Sequence, residues 1–212
     1  MKATIIYDNT TLKRELQPDW GFAALVEAHG KRILFDTGAE GSILLSNMDS
    51  LNIDPRTIDD VFISHPDFDH VGGLYDFLQL NSDVTLWIPC SFHGIRHTKK
   101  IINAGNPEKM YEGIYSTGEL DGIEQSMCVR TDEGIVIIAG CSHPPMKHII
   151  DAASEFGDVY GIIGGLHGNP PESLEEFSMI CATHCTMYKQ QIAHLYGNKY
   201  IEGGAGKIIE IN

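Results

Sequence analysis

The chain is short of positive charge. Across 212 residues, Lys and Arg total 15 against 29 Asp and Glu, a net charge of -14 with His neutral. Nucleic-acid binding normally rests on clustered Lys and Arg that neutralise phosphates, so this balance argues against a nucleic-acid partner and for a small-molecule one. Long hydrophobic runs are also missing: no apolar stretch reaches the roughly 18 residues of a membrane span. The first residues, MKATIIYDNT, turn polar after one short apolar run, unlike a secretory signal. We therefore expect no membrane partner and a cytoplasmic protein. Cysteine is sparse, and Cys90, Cys128, Cys141, Cys181 and Cys185 are scattered and odd in number. That pattern suits reduced thiols better than a disulfide framework. Nothing in the sequence sets the oligomeric state.

What is present is an ordinary globular balance, 42% hydrophobic and 21% charged, enough to bury one sizeable core, so residues 1–212 read as a single domain. Short β-type runs alternate with amphipathic segments. The runs ATIIYD, FAALVEA, RILFDTG, DVFIS, VTLWIP, SMCVRT, IVIIAG, DVYGIIGG, SMICAT and KIIEIN read as strands, with HGK and DEG each closing a hairpin. Helical spacing follows at 40–48, 73–79, 145–156 and 187–196. Hairpins mixed with strand-to-helix units predict an α/β protein of two mixed sheets packed together with helices outside, an αβ/βα sandwich, rather than one doubly wound sheet.

The densest chemistry lies in ISHPDFDH, residues 63–70, where His65, Asp67, Asp69 and His70 follow an apolar strand. Four ionisable groups so close to a core would each cost several kcal/mol if buried unpaired. A divalent cation removes that cost, since imidazole nitrogen and carboxylate oxygen can bind it together. The plainer alternative is an Asp-rich turn whose carboxylates cap a helix. Three later histidines also follow apolar runs: His143 after IVIIAGCS, His167 after VYGIIGGL and His184 after SMICAT. Strands that deliver His to one sheet edge can complete a coordination sphere begun locally.

These motifs resemble the metallo-β-lactamase superfamily, whose His-x-His-x-Asp-His at a strand end is followed by His, a bridging acid and a final His. YDN, LFDTG, SHPDFDHVGGL, GCSHPP, GGLH and THCT are similar, in order, to a subgroup related to the dihydropterin aminobenzene ribofuranosyl phosphate synthases of archaeal methanopterin biosynthesis. The resemblance implies the four-layer αβ/βα sandwich. It also implies one or two divalent ions, zinc first with manganese or iron as alternatives, on His65, Asp67, Asp69, His70, His143, His167 and His184. Asp36 in LFDTG would buttress the metal loop. Two departures stand out: Asp67 occupies the place of the second motif histidine, and His167 that of the bridging acid. More oxygen at the first site would favour manganese or iron.

An open metal position implies a water lowered from a pKa of about 15.7 toward about 7, and hence hydrolysis. Asp69 would hold that water and accept its proton. In SFHGIRHTKK, Arg96 and His97 are candidates to grip a substrate phosphate, Arg through its planar fork; a solvated loop is the alternative. Cys141, Cys181 and Cys185 read as small packing residues. Three functions stay open: a metal-dependent hydrolase of a small metabolite, a pterin-related transferase using the same site, and a metal-bound protein without turnover.

Overall fold

The computed structural model describes residues 1–95 and 98–212. Its first sheet holds β1 (Lys2–Tyr7), β2 (Ala23–Ala28), β3 (Lys31–Phe35), β4 (Asp60–Phe62), β5 (Thr85–Ile88), β6 (Lys100–Asn103) and β13 (Ile208–Glu210), in the order β13-β1-β2-β3-β4-β5-β6. The β13-β1-β2-β3 half is antiparallel and the β3-β4-β5-β6 half parallel. The second sheet holds β7 (Glu108–Tyr111), β8 (Ile114–Ser116), β9 (Met127–Arg130), β10 (Ile135–Ala139), β11 (Val159–Gly165) and β12 (Met179–Thr183). It runs β12-β11-β10-β9-β8-β7, parallel across β10-β11-β12 and antiparallel elsewhere.

Both faces of each sheet are covered, which is why the strands read as continuous apolar runs. Ala24, Val26, Ile33 and Phe35 of the first sheet share one buried cluster with Met127, Val129, Val136 and Ile138 of the second, so the sheets meet face to face. The alternate residues Leu25, Leu34, Val61 and Leu86 pack against helices α1 (Gly41–Ser50) and α3 (Leu74–Leu80), which precede and follow the four-residue turn α2 (Phe68–Val71). Ile137, Ile162 and Ile180 pack on the other side against α4 (Met146–Ser154) and α5 (Lys189–Tyr196). The result is the expected four-layer sandwich.

All ten expected strands and both hairpins are present. Three more, β6 to β8, extend the sheets, and α2 turns the chain directly after the acidic motif. The two glycines of VGGL, between α2 and α3, need no left-handed backbone, since Gly72 sits in ordinary right-handed helical conformation. Their role is clearance: a Cβ on Gly72 would stand 1.9 Å from the Ala39 carbonyl oxygen, and one on Gly73 2.3 Å from that of Thr37. The loop after β3 is thereby held against α2, with Thr37 donating to the His70 carbonyl through both its backbone N–H and its hydroxyl.

Candidate metal centre

The chain leaves β1, β3, β4, β10 and β12 at one edge of the sandwich, and each exit carries a polar side chain inward. His65 follows β4, His143 follows β10, His184 follows β12, and Asp8 and Asp36 follow β1 and β3. Two groups of ligand atoms that include a carboxylate oxygen gather there, His65 with Asp67 and His143, and Asp69 with His70 and His184, each within 4.8 Å of one another. In the first group, Asp67 Oδ2 stands 3.5 Å from His65 Nε2 and 3.7 Å from His143 Nε2. In the second, Asp69 Oδ2 stands 3.2 Å from His184 Nε2 and 3.8 Å from His70 Nε2. The His65 and His70 rings are 4.1 Å apart, centre to centre, so the groups adjoin.

A hydrogen-bonded shell fixes which nitrogen of each ring faces inward. Asp36 is wholly buried and accepts from the Ser64 N–H at 2.8 Å, the Ser64 hydroxyl at 2.7 Å and His70 Nδ1 at 2.7 Å. Because the Ser64 hydroxyl donates to Asp36, it accepts from His65 Nδ1 at 2.8 Å. Asn9 Oδ1 accepts from His184 Nδ1 at 2.9 Å, and Asn9 Nδ2 donates to the His184 carbonyl at 3.0 Å. All three rings therefore carry their proton on Nδ1 and aim the Nε2 lone pair at the centre.

The lone pairs of His65 and His184 find no hydrogen-bond partner although both atoms are buried. Leaving a buried polar atom unpaired costs about 1–3 kcal/mol, and two such nitrogens converging on carboxylate oxygens fit a divalent cation. The protonation states agree. Burial, then the charge of His70, pushes His65 down to about 4, and burial with the charge of His184 pushes His70 down to about 4. Both are neutral, ligand-ready imidazoles at pH 7. Burial alone would raise the Asp69 carboxyl, but the adjoining His184 and the His70 charge outweigh it and hold the group well below the usual carboxylate range. Burial pushes Asp36 up to about 7, against the pull of His65 and the Ser64 donors; a nearby cation would favour its ionised form.

Some of the shell gave no signal in the sequence. Glu124 is buried beneath the loop after β10, where Oε1 accepts from the backbone N–H of Gly140, Cys141 and Ser142 and Oε2 accepts from that of His143. It thereby sets the backbone that carries His143. Asp8 accepts from the His184 N–H at 2.7 Å and helps hold that residue in the left-handed conformation, φ 44°. Trp20, half exposed, lies 5.0 Å from the His184 ring, centre to centre.

The remaining candidates lie further out. His167 is exposed, 4.8 Å from the His143 ring, and joins neither ligand group. Arg96 and His97 lie outside the described residues. A cavity of about 240 Å³ opens beside the first group, lined by His65, Pro66, Asp67, Ser91, Gly122, Ile123 and His143. Two larger hollows, of about 490 and about 510 Å³, lie around Pro55 and Asp59, and among the described residues no histidine lines either.

Comparison with solved structures decides the fold. Tm1679, a metal-dependent hydrolase of the β-lactamase superfamily, superposes with a TM-score of 0.79 over 100% of this chain and 99% of its own, at 23% identity. This is the metallo-β-lactamase fold. A model of the metallo-β-lactamase superfamily matches residues 18–90, the stretch from Pro18 through HPDFDH to Cys90. The 7,8-dihydropterin-6-methyl-4-(beta-D-ribofuranosyl)-aminobenzene-5'-phosphate synthase of Methanocaldococcus jannaschii is 26% identical, with 89% of this chain and 88% of the synthase aligned. Human tRNase Z, short form, superposes with a TM-score of 0.66 at 14% identity, with both chains covered in full. Among the described residues no helix is long and apolar enough to cross a membrane.

Proposed function

We propose that this protein is a metal-dependent hydrolase of a small metabolite. His65, Asp67 and His143 would hold one ion, and Asp69, His70 and His184 a second. The observation that carries this reading is the pair of unpartnered, buried Nε2 atoms on His65 and His184, each in a group with carboxylate oxygen. When bound, divalent ions polarise a carbonyl or phosphoryl oxygen and lower the pKa of water from about 15.7 toward about 7. Zinc is the first candidate, with manganese and iron as alternatives.

The chain's own groups supply the rest. Asp69, ionised beside His184, orients the water and takes its proton. The substrate enters the cavity flanked by Asp67, Ser91 and Ile123, with His167 at the rim as a hydrogen-bonding group beside His143. Arg96 and His97 follow Ser91 by five and six residues in sequence; they remain the candidates for a substrate phosphate, which makes phosphorylated compounds the first class to test. Residues 1–212 act as one domain in this reading. Its support is the central cluster, which draws on both sheets and runs in sequence from Ala3 to Ile209.

A second reading, a pterin-related transferase, is favoured by the 26% identity to the M. jannaschii synthase and by the exposed Trp20, a flat apolar surface beside His184 for an aromatic ring. One experiment separates them. Protein stripped of metal and reloaded separately with zinc, manganese or iron is assayed on phosphodiester, lactone, thioester and acyl substrates, and on condensation of a dihydropterin pyrophosphate with an aminobenzene ribosyl phosphate. Metal-dependent hydrolysis is the expected result. Condensation alone would support the transferase, and silence in both with metal retained would leave a binding protein.

A further inference from the structure

We propose that Cys141 supplies a thiolate to this metal centre, at the point where its two ligand groups adjoin. The inference rests on the metal-centre reading above and adds to it a ligand that the sequence reading treated as a packing residue. Among the described residues, only His70 and Cys141 share ligand groups with both His65 and His184: Cys141 lies within 4.8 Å of His65 and His70 in one group, and of His184 and Cys185 in another.

The geometry at His70 is the most specific. Cys141 Sγ stands 3.3 Å from His70 Nε2, the nitrogen that Asp36 leaves facing inward. Ligands held by one zinc at about 2.3 Å through sulfur and about 2.1 Å through nitrogen stand about 3.3 to 3.6 Å apart at near-tetrahedral angles. The thiol thus already sits where a co-ligand of His70 belongs, next to the unpartnered Nε2 atoms of His65 and His184.

The surrounding chain holds the sulfur there. Glu124 Oε1 accepts from the Cys141 N–H at 2.9 Å and fixes its backbone. Gly165, at the end of β11, leaves the space that Cys141 and Cys185 fill: a Cβ there would come within 2.7 Å of Cys185 Sγ and 3.2 Å of Cys141 Cα. Both cysteines are free thiols. On loading, the S–H bond breaks, the proton leaves to solvent and the sulfur lone pair forms the metal bond, with no change of oxidation state. A thiolate makes the shared position softer and favours zinc over manganese, against the pull of the Asp67 oxygen on the first site.

Cobalt(II) substitution reads this directly, because thiolate-bound cobalt has an intense near-ultraviolet charge-transfer band that nitrogen and oxygen ligands lack. The metal-free protein is titrated with cobalt, and bound cobalt is counted by elemental analysis. Wild type and Cys185→Ser are expected to show the band, and Cys141→Ser to lose it while its visible cobalt bands persist. Cobalt bound by wild type without the charge-transfer band, or a band that survives Cys141→Ser, would overturn the thiolate and leave the metal centre standing. No cobalt bound by folded wild type would overturn both. Should Cys141→Ser fail to fold, X-ray absorption on zinc-loaded Cys185→Ser decides: sulfur scattering at about 2.3 Å supports Cys141, and its absence rejects it.

Discussion

Asp36 and His70 meet at 2.7 Å, carboxylate Oδ2 to ring Nδ1, with both side chains wholly buried. The same oxygen accepts from the Ser64 hydroxyl, which in turn orients His65. One carboxylate after β3 therefore sets the tautomer of one histidine in each ligand group. Asp36→Asn has no conflict-free orientation, because its amide N–H₂ must face either the Ser64 N–H or the donors of His70 and Ser64. We expect the variant to lose about 10–100-fold in metal affinity, as outer-shell substitutions do, measured by competition with a chromogenic chelator. Unchanged affinity would show that Asp36 does not govern the ring nitrogens.

Glu124 offers a test by stability. Glu124→Gln must turn its amide N–H₂ toward at least one of the four backbone N–H groups it now accepts from, at a cost of about 1–3 kcal/mol, read from urea unfolding of the metal-free protein. The sign with pH follows. Burial would raise the Glu124 carboxyl, but the His65 charge and the backbone donors hold it below its usual range. The unfolded chain then takes up this proton first as pH falls, so the stabilisation is present above the unfolded value of about 4.3 and is lost below it. The Gln variant should show a shallower acid limb. An acid limb as steep as that of wild type would contradict this.

How much of this was legible in the sequence depended on whether a signal was local. Strands covered on both faces show as apolar runs, and HPDFDH places four candidate ligands within six residues, so the fold and the edge where the ionisable side chains gather could be read directly. His143 and His184 were legible because each ends such a run. The strand β6 is largely exposed, and β7 and β8 are too short and mixed to show a period. Glu124 lies in a polar stretch 16 to 19 residues from the backbone it holds, and Asn9 acts on His184 across 175 residues. Cys141 looks in sequence like any small buried residue; only the fold places it beside His70.

Asp67 separates this chain most clearly from the superfamily motif it resembles. Its side chain is 60% exposed, yet Oδ2 faces both His65 and His143. Asp67→His should raise zinc affinity and move the metal dependence of activity toward zinc, whereas Asp67→Ala should weaken the first site. Metal content and activity unchanged in Asp67→Ala would remove this residue from the ligand set.

Gly72 tests the clearance that seats the acidic motif. Gly72→Ala forces a Cβ to 1.9 Å from the Ala39 carbonyl, and the backbone must move, at a cost of about 1–3 kcal/mol or more. We expect a lower melting temperature together with weaker metal retention, because α2 carries Asp69 and His70. A variant as stable and as metal-rich as wild type would show that the loop after β3 yields freely.

The central claim is a two-ion centre divided between His65, Asp67 and His143 on one side and Asp69, His70 and His184 on the other. Elemental analysis of folded protein purified without chelators tests it most directly, with His143→Ala and His184→Ala measured alongside wild type. The account predicts two transition-metal ions per chain in wild type and loss of one or both in each variant. A folded wild type that stays metal-free when dialysed against zinc, manganese or iron would contradict it.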